Sequence, residues 1–223
     1  LFKSAQATGR HVLAHADEIP PGDAGFERAI EIAFNFAEDN AHGRDPILPH
    51  RAAILALGVI LGEEKVAEVA KREINLARLP EAKKLRSRIT LYGRHDLPRH
   101  FWVSAGLAVL SSDDQSMTIG IAKEMMDSAG GSGFSFVDLT ADRAGTLFAL
   151  AATQSKKSAR ALQARIRNGV EIADFVPNPL DLPEGIPNDQ FQAEYGGLGG
   201  ERTKKIVEEI RSRLESCEGL RFN

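Results

Sequence analysis

The sequence predicts an all-α protein: a single-domain, irregular helical bundle of about eight helices, with a Pro-rich surface strap and a C-terminal amphipathic helix. Three observations carry that expectation. Apolar residues recur at three- and four-residue steps, as in Phe26, Ile30, Phe34 and Ala37, the spacing that lines one face of a helix. β-Branched residues rarely cluster, and no Asn-Gly or Asp-Gly dipeptide separates alternating apolar runs, so hairpin signals are missing. Gly43 with Pro46, then Gly62, Pro80 and Gly169, fall between the periodic stretches, where they stop and start helices.

Taken in order, the first stretch predicts a helix over residues 25–41, closed by Gly43 and Pro46. Pro49 suits the first turn of a second helix, which runs to residue 61 with Ile54, Leu57 and Leu61 inward. Gly62 breaks it, and residues 63–76 form a third, with Val66, Val69 and Ile74 inside. Pro80 opens a short basic helix reaching residue 90. Helices over 97–111, 114–128 and 136–153 form the expected centre of the fold, followed by one over 155–168. From 174 to 185, Pro177, Pro179 and Pro183 remove three backbone donors and favour extended conformations. This predicts a strap pinned by Phe175, Val176, Leu180 and Leu182. A short helix over 188–195, four glycines and an amphipathic helix over 201–217 finish the chain. Residues 1–223 therefore read as one helical domain, with a core over 22–168 and a strap and C-terminal helix over 174–217 that dock on their own domain.

Bulk properties narrow the function classes. A chain of 223 residues buries roughly 70% of its extended surface, so neither a disulfide nor a metal is needed for stability. Basic and acidic residues nearly cancel, 28 against 31, which argues for no nucleic acid partner. The local cluster of Lys156, Lys157, Arg160, Arg165 and Arg167 reads as a solvated face. Cys217 is the single cysteine, so there is neither an internal disulfide nor a Cys-based zinc site, and without a local motif it reads as inert. The longest apolar runs, 52–61 and 101–110, are about ten residues. A membrane-spanning helix needs about 20, so no membrane-spanning segment is expected. The chain begins with Leu1 rather than Met, which suggests a truncated N-terminus and leaves an exported or periplasmic location open.

One region combines histidines and carboxylates on faces that ought to be buried. On a helix over 97–111, His100 lies on the apolar stripe with Leu97, Ser104 and Leu107, and Asp96 precedes it by one turn. Glu124 and Asp127 are i, i+3 neighbours on the next helix, after Lys123. Asp138 and Asp142 are i, i+4 neighbours sharing a face with Ala141, Gly145, Ala149 and Ala152. A Gly/Ala face admits a close neighbour, so those carboxylates are partly buried and need a proton, a partner or a metal. Inward His and carboxylate groups on facing helices are how bundles build metal sites. The expected metal centre is His100, Asp96, Glu124, Asp127, Asp138 and Asp142, with His95 as an additional ligand. Zinc, manganese or calcium would suit it.

Three functional expectations follow. The first is a helical protein with a divalent metal at this centre. The second is a metal-dependent hydrolase, with Glu124 or Asp127 as general base and Lys123 or Arg143 stabilising a developing anion. The third is a non-catalytic structural or interaction module, its partner a homodimer mate or another protein, in which the centre is a polar network. Plainer roles stand beside these: Ser135-x-x-Asp138 is a capping-box pattern, Asp142 could pair with Arg143 of a neighbour, Arg99 or Lys123, and His100 could be a satisfied core histidine. His11 and His15, four residues apart, are compatible with a metal pair but lack an acidic companion at the right spacing. His42 and His50 carry no pattern. The glycines of Gly130-Gly-Ser-Gly133 lack P-loop spacing, and neither Ser104 nor Ser132 has a Gly-x-Ser-x-Gly setting.

The stretch 93–152 resembles a group of uncharacterised bacterial proteins with the pattern H-D-x3-H, K-E-x2-D and S-F-x-D-L-x-A-D-x-A-G. The matching residues are His95, Asp96 and His100; Lys123, Glu124 and Asp127; and Ser135, Asp138, Leu139, Ala141, Asp142 and Gly145. More distantly it resembles VanZ-like proteins and related small predicted lipoproteins. The resemblance implies a bacterial protein, exported to the cell envelope, and assigns no reaction. VanZ-like proteins are membrane-embedded, a feature this chain lacks the segments to share.

Overall fold

The structure, a computed structural model, describes residues 1–41, 45–63, 66, 76, 80–111 and 133–221. Among these the chain forms nine α-helices and no strand. They are α1 (Phe2–Ala14), α2 (Asp23–Asp39), α3 (Ile47–Leu57), α4 (Pro80–Arg88), α5 (Leu97–Ser111), α6 (Phe136–Thr153), α7 (Lys156–Arg167), α8 (Asn188–Tyr195) and α9 (Glu201–Ser216). The all-α reading holds, and α4 to α9 fall within two residues of the expected bounds. Of the helix expected over 63–76, only Glu63, Val66 and Leu76 are described, and Val66 is buried as expected; the helix expected over 114–128 lies outside the described residues, as do Lys123, Glu124, Asp127, His42 and residues 130–132.

The centre of the molecule is α3. Every residue from Ala52 to Gly62 is buried, and a helix apolar all round belongs inside a fold. Its last turn widens into a π-helical turn over Gly58–Gly62. There the glycines meet α5: a Cβ on Gly58 would stand 3.1 Å from the Trp102 carbonyl, and one on Gly62 3.1 Å from the Val103 side chain. Around α3 stand α1, α2, α5 and α6. Because α1 buries Ala5, Val12 and Leu13 against α2 and α3, the packed core begins well before residue 22. Its aromatic heart is Phe26, Phe34, Phe101, Trp102, Phe148 and Phe175, mostly in edge-to-face contacts such as Phe34–Phe148 at 5.5 Å.

The strap docks on this domain. Phe175 and Val176 are fully buried, and the Phe175 ring meets Phe148 edge-on at 5.1 Å. Leu182 is also buried, but Leu180 is 47% exposed and pins nothing. Polar ties replace it: Arg213 of α9 holds Asp181 at 2.6 Å, and Phe134 and Ile186 exchange backbone hydrogen bonds. The loop between α4 and α5 secures the other side. The Tyr92 hydroxyl donates to the Val176 carbonyl at 2.6 Å, and Tyr92 itself takes a left-handed backbone conformation (φ 53°). For a non-glycine residue that costs roughly 1–2 kcal/mol, which the surrounding contacts hold in place. Among the described residues no helix is long and apolar enough to cross a membrane.

Candidate functional site

The α5–α6 pair makes the most extensive contact between any two described elements. Gly145 is the reason for their proximity: a Cβ there would lie 2.0 Å from the Phe101 carbonyl oxygen, a clash with backbone. Ala141, Ala149 and Ala152 are buried along the same face, as the small-residue pattern predicts. Asp138 and Asp142 sit at its margin, with side chains 23% and 36% exposed.

His100 projects from α5 between these two carboxylates and is 14% exposed. Its Nδ1 lies 3.3 Å from Oδ1 of Asp142, and its Nε2 lies 3.6 Å from Oδ2 of Asp138. One turn further along α5, the Ser104 hydroxyl donates to the same Asp142 oxygen at 2.8 Å. Asp138 has a second duty. Its backbone N–H donates to the Ser135 hydroxyl at 3.0 Å, so Ser135 is the N-cap of α6 and one half of the capping box is made. The carboxylate turns instead toward His100, leaving Oδ1 buried with no hydrogen-bond partner.

Burial pulls the His100 imidazole down, but the Asp142 hydrogen bond and the charges of Asp142 and Asp138 outweigh it, so its pKa rises above the ordinary 6.5. Burial also raises the Asp138 carboxyl above its ordinary 3.8, against the opposing pull of His100. Both groups therefore hold protons more tightly in the folded chain than free in water.

Among the described residues, the other expected ligands, Asp96 and His95, go elsewhere. The Asp96 carboxylate is taken by Arg94 through two bonds of 2.9 and 2.7 Å, and that hydrogen bonding lowers its pKa. A planar guanidinium two residues away offers a fork that a ring four residues along the helix cannot match. The same guanidinium reaches Glu184 of the strap at 2.9 Å. His95 is exposed, with Nδ1 3.2 Å from the Ile89 carbonyl. It lines, with Asp96 and Arg99, a cavity of about 260 Å³ beside Leu61 and Gly62. Neither His100, Asp138 nor Asp142 borders that cavity. Arg99 pairs with Glu63 at 3.2 Å, not with Asp142, and Arg143 is half-buried on α6. Among the described residues no group of three or more His, Cys, Asp or Glu side chains is placed to hold a metal ion.

A second polar centre escaped sequence reasoning. His50 is fully buried at the start of α3, with Nδ1 3.0 Å from the Ala152 carbonyl and Nε2 3.1 Å from Oε1 of Gln163. Gln163 is bonded in turn to Asn35 at 3.1 Å. Burial lowers the His50 pKa despite those hydrogen bonds. A neutral ring is satisfied at both ends when Nδ1 donates to the carbonyl and the Gln163 and Asn35 amides turn together, so that Gln163 donates its NH2 to Nε2 and accepts from Asn35. The available signal was periodicity, because His50 stands one turn before the inward Ile54, Leu57 and Leu61.

The basic cluster on α7 is largely neutralised. Lys156 pairs with Asp45, Arg165 with Asp174 and Glu218, and Arg167 with Glu38 and Asp39. Compared with protein-family models, curated proteins and solved structures, the chain finds no match.

Proposed function

We propose that this protein is a non-catalytic structural or interaction module whose Asp138–His100–Asp142 group is an ionic clamp joining α5 to α6. One observation carries the reading: each ring nitrogen of His100 faces a different carboxylate, at 3.3 and 3.6 Å. Only the imidazolium presents an N–H and a positive charge to both, as a hydrogen bond to Asp142 and an ion pair with Asp138. A general base needs a nitrogen free to take a substrate proton and a path for substrate to reach it. In this arrangement both nitrogens are directed at carboxylates.

A second reading rests on the orphaned Oδ1 of Asp138. A divalent ion there (zinc, manganese or calcium) would satisfy that oxygen and displace the proton from Nε2 of His100, with Glu124 and Asp127 as the further ligands to test. Asp142 would stay on Nδ1, orienting the ring from outside the coordination shell. A metal-dependent hydrolase would have to build on this arrangement.

Metal analysis and a histidine titration separate the readings. The clamp predicts that any zinc, manganese or calcium retained is the same in the parent chain and in the Asp138→Asn/Asp142→Asn double variant, with the His100 ring signals titrating above pH 6.5. Near-stoichiometric metal, lost in the Asp138→Asn/Asp142→Asn double variant, would overturn the clamp in favour of the metal site.

A further inference from the structure

His11 lies in the last turn of α1, and His15, four residues on, is the residue that caps the helix C-terminus. Their ring centroids are 4.1 Å apart, with planes inclined at 43°. The His11 ring also stacks on Phe36 of α2 at 4.2 Å and 18°, which fixes its plane. Nδ1 of His15 is 2.8 Å from the His11 carbonyl oxygen. A carbonyl only accepts, so Nδ1 carries the ring proton and Nε2 keeps its lone pair. Both residues are half-buried, so neither ring is sealed from solvent. Burial and the adjacent imidazole lower the His11 pKa, while Glu18 pulls in the opposite direction.

We propose that His11 and His15 form a two-imidazole chelate for a borderline divalent transition-metal ion, Cu(II) more tightly than Zn(II), with water completing the shell. The observation behind it is two adjacent imidazoles, one with its tautomer set by a backbone carbonyl and the other held by an aromatic face. Zinc–imidazole bonds are about 2.0–2.1 Å, so one ion takes both rings only when neighbouring imidazoles each turn a nitrogen toward it, and rings this close need no backbone movement to do so. Imidazole ligands place copper above zinc and exclude magnesium and calcium, which prefer oxygen. The nearby Glu18 carboxylate, shared with Arg28 at 3.3 Å, favours positive charge at this face without serving as a ligand. The site is separate from the α5–α6 centre and independent of the clamp.

The test is titration of the whole chain with Cu(II), then Zn(II), then Mg(II), at pH 7.5, followed by histidine ring NMR. One saturable Cu(II) per chain is expected, with weaker Zn(II), no Mg(II), and paramagnetic broadening centred on His11 and His15. Binding should weaken as pH falls, because protons compete for the same nitrogens. His15→Gln should weaken Cu(II) about 100-fold or more, the loss expected when a chelate becomes a single ligand. His100→Gln/Asp138→Asn should change it by less than about threefold. Unchanged affinity in His15→Gln, or in the His11→Gln/His15→Gln double variant, overturns the site. Broadening centred elsewhere in the wild-type chain does so without any variant, which matters because His11→Gln also removes the Phe36 stacking partner.

Discussion

His50 and His100 both pack against α6, yet the fold treats their protons in opposite ways. His50 has a backbone carbonyl and a neutral amide for partners, and burial outweighs those hydrogen bonds and the more distant charge of Glu38, so its pKa falls. His100 is also mostly buried, but its partners are carboxylates, and its pKa rises. Burial alone does not set the protonation state; the charge of the partner does. Near neutrality, a centre of the first kind locks helices as a hydrogen-bonded core, and one of the second kind locks them as an ion cluster.

The strongest way to break this comparison is at His50. His50→Ala leaves a cavity and strips partners from Ala152 and Gln163, and should cost about 3 kcal/mol in urea unfolding with the denaturant slope unchanged. A loss below about 1 kcal/mol would mean that water reaches the site and that the two centres are alike. Next comes Gly145→Ala, which tests whether sterics or charge brings α5 to α6. Alanine suits a helix better by about 1 kcal/mol, but its Cβ would clash with the Phe101 carbonyl, and a net loss of about 2 kcal/mol is expected. A stabilised variant would show that the helices can separate freely.

Asp142→Asn removes the nearer charge from His100. Because Asp142 is over a third exposed, solvent screening holds the expected cost to about 1 kcal/mol at pH 6. The His100 ring should titrate at lower pH than in the parent chain by NMR. An unmoved titration would assign the raised pKa to some other group.

The pH dependence sharpens the contrast because the signs differ. The His100 contribution is fully present below 6.5 and is lost as pH rises through its raised folded pKa. With its lowered pKa, His50 contributes above 6.5 and loses that contribution as pH falls toward its folded value. Stability measured by urea unfolding across pH should therefore lose its falling alkaline limb in His100→Gln and its neighbouring acidic-side slope in His50→Gln. Identical profiles would refute the assignment. The smallest effect is expected at Arg94→Met, which releases Asp96 and Glu184 at a site one-third exposed and should cost no more than about 1 kcal/mol.

Much of this was legible beforehand. The Gly/Ala face of α6 announced a close neighbour, and Gly145 against Phe101 is that contact. The same face placed Asp138 and Asp142 beside His100. The one-turn spacing of Asp96 from His100 says nothing of Arg94, whose fork reaches Asp96 from the preceding loop. His50 carries no motif of its own, although it continues the inward stripe of α3. Leu180 was read as an anchor because it is apolar, but a strap has no helical period to say which side faces inward.

Local rules thus determined the helices, their approximate ends, the N-cap at Ser135 and the seam that Gly145 permits, since these depend on residues within a few turns of one another. The protonation states were decided by tertiary structure. His100 finds Asp142 across 42 residues, and His50 finds Ala152 and Gln163 across 102 and 113. No periodicity within one helix encodes which side chain a neighbouring helix will present, and that partner decides whether a buried imidazole keeps its charge.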